Sequence, residues 1–148
     1  MRIRDLYTPR ARTAFPDDPL ADAARTMCSE HVGALVIVER ADPHRPIGML
    51  TDRDIVRGQL RRCADLYCLA VGDVMTPDPL VLGCDLDAVE AIEALNARAV
   101  RRAPVVGDAD APLGIVTLDD LLPAVAQDLT ALAALMGTQA RRESIYPR

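Results

Sequence analysis

The sequence lacks most of the features that would place it among membrane or secreted proteins. Tryptophan is absent and phenylalanine occurs once, at Phe15, so the core must be built from aliphatic side chains. No apolar run reaches the roughly 18 residues that a transmembrane helix needs. The first residues, Met-Arg-Ile-Arg-Asp, also lack the apolar stretch of a signal peptide. We therefore expect a cytoplasmic protein with no membrane partner.

Cysteine and histidine are too few, and too irregularly spaced, to indicate a metal site. The four cysteines are Cys28, Cys63, Cys68 and Cys84, and their spacing matches no zinc or redox motif. No serine-nucleophile, zinc-protease or cysteine–histidine motif is visible in the rest of the chain. The sequence therefore predicts neither a metal cofactor nor an enzyme.

Positive charge is also scarce. The 17 basic residues stand against 22 acidic ones, which gives a formal net charge of -5. Such a surface repels nucleic acid unless a local basic patch overcomes the overall field, so we expect no nucleic-acid partner. The length of 148 residues is compatible with one compact domain that has a real core.

The chain does contain an internal duplication. Residues 5–9 read Asp-Leu-Tyr-Thr-Pro, and residues 73–77, 68 positions later, read Asp-Val-Met-Thr-Pro. The block Ile-Gly-Met-Leu-Thr-Asp-Arg-Asp-Ile at 47–55 returns 66 positions later as Leu-Gly-Ile-Val-Thr-Leu-Asp-Asp-Leu at 113–121. Two unrelated blocks that recur in the same order indicate two copies of one structural unit. Such copies normally pack together and form two related clefts between them.

Each copy has the pattern of a helix, two strands and a closing helix. Apolar residues at spacings of three and four predict the helices, and short runs rich in β-branched residues predict buried strands. Helices are predicted at 20–27 and 88–95, and strands at 34–38, 46–50, 103–106 and 112–116. An apolar stripe over 122–136 predicts a C-terminal helix that covers its own core or packs on a second protomer.

The motif Gly-h-h-Thr-x-x-Asp, where h is hydrophobic, supports two interpretations. It contains Thr51 and Asp54 in the first copy and Thr117 and Asp120 in the second. As a capping box, the threonine begins a helix and the aspartate bonds back to it. As a nucleotide site, the helix N-terminus and threonine face phosphate while the aspartate holds a ribose.

In the second interpretation, the neighbouring strands contribute an apolar slot and backbone groups for a base. Val36 and Ile37 are the candidates in the first copy, and Ala103 and Val105 are those in the second. The two interpretations share one geometry, and a single copy of the motif favours capping alone.

The repeated blocks together resemble a tandem pair of CBS domains, known as a Bateman module. The resemblance extends from about residue 3 to residue 125, and six short blocks in the right order carry it. These blocks are residues 5–9, 33–38, 48–55, 73–77, 101–106 and 114–121. The resemblance implies an α/β (α+β) fold of two helix–strand–strand–helix repeats with pseudo-twofold symmetry. It also implies adenosyl ligands and frequent dimerisation.

The resemblance also assigns roles to basic residues. Members of this family often place a basic residue that faces phosphate just before the Pro-Val-Val strand, and Arg101 and Arg102 occupy that place. The first copy has Gly33 and Ala34 there, so the two clefts are expected to differ. Arg53 supplies part of the missing positive charge in the first copy, because it follows Thr51 in the closing helix. An anionic ligand is expected to prefer the cleft served by Arg101, Arg102, Thr117 and Asp120.

These observations predict a regulatory module that binds AMP, ADP, ATP or another adenosyl compound. The predicted division is a first motif at 1–60, a linker helix at 61–70, a second motif at 71–125, and a C-terminal helix and tail at 126–148. Because these parts account for the chain, the regulated protein is expected to be a separate partner, and a homodimer is expected. The alternative is a structural or dimerisation module with empty clefts.

Overall fold

A computed structural model of the chain describes the backbone of residues 1–145 and the side chains of residues 1–136. The helices and strands predicted within the two repeats are all found, and the fold is mixed α and β. The α-helices are α1 (Leu20–Glu30), α2 (Asp52–Arg62), α3 (Val71–Val74), α4 (Ala88–Ala97) and α5 (Leu118–Ile145). The strands are β1 (Thr8–Pro9), β2 (Thr13–Ala14), β3 (Ala34–Val38), β4 (Pro46–Thr51), β5 (Thr76–Pro77), β6 (Leu82–Gly83), β7 (Arg102–Val106) and β8 (Pro112–Thr117).

Each repeat is built around one antiparallel hairpin. β3 pairs with β4 in the first repeat, and β7 pairs with β8 in the second. A two-residue strand lies parallel to the first strand of each hairpin, β2 beside β3 and β6 beside β7. Two four-stranded sheets result, in the orders β2-β3-β4-β5 and β1-β8-β7-β6.

The two sheets exchange their outermost strands. β1 comes from the start of the chain but pairs with β8, and β5 comes from the start of the second repeat but pairs with β4. The preceding residues cross as well, because Ile3 N donates to Leu86 O at 2.9 Å and Val71 N donates to Asp18 O at 2.9 Å. Ile3 and Val71 are both fully buried. The opening segment of each repeat therefore belongs spatially to the other repeat.

The glycine of the repeated motif makes this exchange possible. A Cβ at Gly48 would lie 2.8 Å from Met75 Sδ and 3.1 Å from the Thr76 carbonyl oxygen. A Cβ at Gly114 would overlap the Thr8 carbonyl oxygen and the Tyr7 ring. A glycine is needed at each position because the other repeat's opening segment passes directly over it.

The first strand of each hairpin, β3 or β7, is buried on both faces. Ile37 packs in the core cluster with α1, and Val105 packs in the corresponding cluster with α4. Val36 and Pro104 alternate with these residues along their strands and are also fully buried. One face of each of these strands therefore packs toward the helices, and the other face is buried as well.

The segment between the repeats differs from the predicted linker helix at 61–70. α2 ends at Arg62 because Cys63 adopts a left-handed conformation, with φ 48° and ψ 39°. A short 3-10 turn, Leu66–Cys68, follows, and the side chain of Asp65 caps it. The left-handed residue breaks the helical path, so the linker is a turn rather than a continuation of α2.

The C-terminal helix α5 runs through Pro123 without a restart. Its first turns cover the second repeat, since Leu121 and Ala124 are buried. Farther along, Leu129 is 62% exposed and Met136 is 72% exposed. The last residues of the predicted tail, 146–148, lie outside the described part of the chain. Within that part, no helix is both long enough and apolar enough to cross a membrane.

Candidate functional site

The repeated Thr-x-x-Asp motif forms a capping box in both repeats. Asp54 Oδ2 accepts from Thr51 N and Thr51 Oγ1, each at 2.9 Å, and Asp54 N donates to Thr51 Oγ1 at 3.1 Å. Asp120 Oδ2 accepts from the N and Oγ1 of Thr117 at 2.8 and 2.7 Å. The capping box uses only one carboxylate oxygen, and Oδ1 has no hydrogen-bond partner among the described residues. That oxygen is available to accept a hydrogen bond from a diol.

The same bonds remove one of the expected phosphate contacts. The hydroxyl proton of Thr51 is already donated to Asp54, so the hydroxyl cannot also donate to a phosphate oxygen. The first N–H groups of α2 are occupied too: Asp52 N donates to Gly33 O at 3.3 Å, and Arg53 N donates to Asp52 Oδ1 at 2.8 Å. The expectation of free donors at this helix N-terminus was therefore wrong, and any anion there needs side-chain cations.

A cleft of about 610 Å³ lies between the two repeats at the start of α2. Three stretches of chain line it: the end of β4 with the first turns of α2, the segment that begins at β5, and the turn that leads into β7. The lining residues are Met49, Thr51, Asp52, Arg53, Asp54, Arg57, Thr76, Pro77, Asp78, Pro79, Leu80, Arg98, Ala99, Val100, Arg101 and Arg102. We call it the central cleft.

The central cleft carries an excess of positive charge. Five arginines and three aspartates line it, in a chain whose net charge is -5. Arg98 is bonded to Asp78 at 3.0 Å, and Arg101 lies 3.8 Å from Asp119. Arg102 reaches across to the first repeat, where its Nη1 lies 3.5 Å from Gly33 O. This guanidinium is in no ion pair with the described residues, so it can serve a bound anion.

The central cleft joins predicted residues from different repeats. Arg101 and Arg102 were expected to serve the cleft of Thr117 and Asp120, but Thr117 and Asp120 do not line the cleft that the arginines line. Arg102 pairs with Thr117 across the β7–β8 hairpin, while its side chain points to the first repeat. The predicted residues in the central cleft are Thr51, Arg53, Asp54, Arg101 and Arg102.

The predicted apolar slot is not formed by the expected side chains. Val36, Ile37, Ala103 and Val105 are each fully buried, and the last three belong to the helix-facing cores. Because both faces of β3 and β7 are buried, the side chains of these residues lie in the packed interior, out of reach of a ligand in the cleft. The prediction that these four side chains form an apolar slot was therefore wrong.

The apolar walls of the cleft come from residues that the sequence interpretation missed. Met49 lies on β4, Pro77 and Leu80 lie on or just after the exchanged strand β5, and Val100 precedes β7. The repeated Asp-h-h-Thr-Pro block was the available signal for Pro77. Its position in the site follows from the strand exchange, which no local pattern indicates.

The duplication implies a second surface, equivalent to the central cleft, that combines the start of α5 with residues of the first repeat. The charges at its positions differ from those of the central cleft. Positions 12 and 30 correspond, at the 68-residue offset, to Leu80 and Arg98. Arg12 and Glu30 form an ion pair with each other. Gly33 and Ala34 replace the two arginines there, so the second surface has less free positive charge. Among the described residues, no group of three or more potential ligands could hold a metal ion.

The sequence matches the family model of the CBS domain twice, over residues 3–61 and 71–127. An inosine-5'-monophosphate dehydrogenase of Methanocaldococcus jannaschii is 32% identical over 110 residues, which is 74% of this chain and 21% of the dehydrogenase. An uncharacterised protein of Methanopyrus kandleri is 29% identical over 110 residues, 74% of this chain and 55% of that protein. The chain therefore spans about a fifth and about half of these two relatives.

Other similar proteins match over most of their length. The CBS domain-containing protein YhcV of Bacillus subtilis is 30% identical over 119 residues, 80% of this chain and 81% of YhcV. The solved structure of CBSX2 in complex with AMP has a TM-score of 0.68 at 26% identity, and the match covers 85% of this chain and 96% of CBSX2. A CBS domain protein of Pyrobaculum aerophilum complexed with AMP has a TM-score of 0.74 at 20% identity, covering 86% and 99%. At that identity the likeness shows the fold alone.

Proposed function

The chain belongs to the CBS domain family, and we propose that it is a regulatory module that binds an adenine nucleotide in the central cleft. One observation carries the proposal. Asp54, whose Oδ1 has no partner among the described residues, and Arg102 line the same cleft, although they come from different repeats. A carboxylate oxygen suits a ribose diol and a guanidinium suits phosphate, so the pair matches the two polar parts of a nucleotide.

In this proposal each part of the ligand has its own contact. The ribose hydroxyls donate to Asp54 Oδ1, and the first phosphate accepts from Arg102 and Arg101. The base lies against Met49 and Pro77, which offer an apolar wall. The bound ligand thereby contacts both repeats. Its binding to the central cleft therefore changes the position of one repeat relative to the other. That change of position is the regulatory signal, and a separate protein receives it.

The comparisons support this proposal at the level of ligand class. CBSX2, whose fold covers 85% of this chain, was solved in complex with AMP. The dehydrogenase match covers only 21% of that enzyme, and this chain has no recognisable catalytic constellation, so we do not propose dehydrogenase activity. We propose a cytoplasmic, non-catalytic role in which nucleotide binding is the primary event.

Thermal unfolding in the presence of nucleotides tests the proposal. A ligand that binds only the folded state, at 100 times its Kd, stabilises that state by about 2.7 kcal/mol. For a protein of about this size, each kcal/mol raises Tm by roughly 2–4 °C, so saturating AMP, ADP or ATP should raise Tm by about 5–11 °C. No rise with any of the three would favour the alternative, a structural or dimerisation module with empty clefts.

We also propose that the module is a homodimer and that α5 contributes to its interface. The apolar residues Leu122, Val125, Leu129, Leu132 and Met136 are spaced by three and four, which is the pattern of a helix that packs on another helix. Four of the five are 51–72% exposed, so the described part of the chain does not cover them. Only one charged residue, Asp128, lies between 121 and 136. A second copy of the same stripe is the complementary partner, since both surfaces are apolar and uncharged.

A further inference from the structure

Three arginines form a line along one face of α2. Arg53, Arg57 and Arg61 are spaced by four residues, so they lie above one another at intervals of about 6 Å along the helix axis. All three are exposed. We call them the arginine ridge. Arg53 and Arg57 line the central cleft, so the ridge begins inside the proposed nucleotide site.

A second cavity continues the central cleft along this ridge. It has a volume of about 320 Å³ and lies between α2 and the segment from Asp73 to Pro77. Arg57 and Arg61 line it, together with Arg62, which lies 3.9 Å from Asp73. The two cavities share Asp54, Arg57, Thr76 and Pro77, so together they form one continuous groove.

The ridge differs from most of the described basic surface because its arginines form no ion pair with a described residue. All 17 basic residues of the chain are arginines. Eight of the arginines in the described part of the chain lie within 4.0 Å of a carboxylate: Arg2, Arg4, Arg12, Arg25, Arg40, Arg62, Arg98 and Arg101. No member of the ridge is in an ion pair with any described residue. Like charges four residues apart on a helix repel each other, so an anion bound along the ridge would relieve this repulsion.

We propose that the arginine ridge binds the phosphate chain of a polyphosphorylated nucleotide, so that this module prefers a nucleoside triphosphate to a monophosphate. This inference rests on the proposed function, because the nucleoside part is held in the central cleft. The planar guanidinium presents paired N–H donors that match phosphate oxygens, and it stays charged at any physiological pH. The phosphates beyond the first extend along the groove toward Arg57 and Arg61, and each added phosphate gains a charge-assisted hydrogen bond.

Only the first repeat has this ridge. At the 66-residue offset of the Thr-x-x-Asp motif, the three arginines correspond to Asp119, Pro123 and Gln127. An acidic side chain, the apolar ring of a proline and a neutral amide supply no positive charge for a phosphate chain. The inference therefore places one polyphosphate site in each chain.

Calorimetric titration of AMP and ATP in the presence of EDTA tests the ridge. We compare the wild type, the double variant Arg57→Ala with Arg61→Ala, and a control, Arg10→Ala with Arg45→Ala. The control removes the same charge from arginines that also lack an ion pair with described residues and do not line the groove. The wild type should bind ATP about ten- to a hundredfold more tightly than AMP. The ridge variant should lose most of that preference, because its affinity for ATP should fall further below that of the control than its affinity for AMP does.

A titration with inorganic tripolyphosphate separates this inference from the proposed function. If no adenine nucleotide binds, but tripolyphosphate binds the wild type and the control more tightly than the ridge variant, the nucleotide proposal fails and the ridge stands. If AMP and ATP bind the wild type equally well, the inference is overturned. It is also overturned if the ridge variant and the control bind ATP and tripolyphosphate with the same affinities.

Discussion

The replacement of Asp54 by asparagine is the sharpest test of the central cleft. Asp54 Oδ2 accepts two bonds of 2.9 Å from Thr51, while Oδ1 has no partner among the described residues. Asparagine keeps a carbonyl oxygen for the capping box but places an amide donor where Oδ1 stood. A ribose hydroxyl that donates to Oδ1 would then lose its charged acceptor.

The size of the effect follows from this single bond. A hydrogen bond to a charged group contributes about 1.5–3 kcal/mol, and each 1.4 kcal/mol is a factor of ten in affinity. AMP should therefore bind Asp54→Asn about 10- to 150-fold more weakly. Adenosine should lose the same factor, because the ribose is common to both. Asp120→Asn changes an identical capping box that does not line the central cleft, so it should leave the affinity unchanged.

The assay is calorimetric titration with AMP, adenosine and 2′,3′-dideoxyadenosine. The dideoxy compound lacks the donors that Asp54 accepts, so it should bind wild type and Asp54→Asn equally. Denaturant unfolding of each variant checks the cap, whose loss would cost about 0.5–2 kcal/mol. Unchanged AMP affinity in Asp54→Asn would refute the ribose role and leave Asp54 as a cap. A larger loss in Asp120→Asn than in Asp54→Asn would place the ligand in the other repeat.

Three further changes test the phosphate contact, the strand exchange and the dimer. Arg102→Ala should weaken AMP by about ten- to a hundredfold and adenosine much less; equal losses in calorimetry would show that Arg102 does not contact phosphate. Gly114→Ala should destabilise the fold by about 1–3 kcal/mol and lower Tm by about 2–12 °C, because the new Cβ overlaps the Thr8 carbonyl oxygen. Gly83→Ala is its control, since nothing lies within 4 Å of that Cβ, and similar calorimetric Tm values for the two variants would contradict the close approach. Deletion of residues 127–148 should convert the dimer to a monomer in sedimentation, and a truncated chain that stays dimeric would place the interface elsewhere.

The sequence alone determined the elements of this protein and their duplication. The spacing of three and four at Leu20 and Ala88 indicated α1 and α4, and the apolar run at 34–38 indicated β3. The Thr-x-x-Asp copies indicated the capping boxes of α2 and α5. Each of these features arises from interactions between residues a few positions apart in the chain. The pattern of residue types in that short stretch of sequence is therefore enough to predict it. The repeated blocks, read together, were enough to identify the family.

The tertiary structure alone decided which of these elements meet in the site. Nothing local to Thr76 and Pro77 shows that they pair with β4, or that Pro77 and Leu80 form a wall beside Asp54. The sequence grouped Arg102 with Asp120 because both belong to the second repeat, whereas the structure places its guanidinium beside Gly33. Pairing between distant strands depends on shape and burial over the whole domain, and a duplicated sequence offers two equivalent partners for each segment. Packing selects between those partners, and it was packing that joined a carboxylate from one repeat to an arginine from the other.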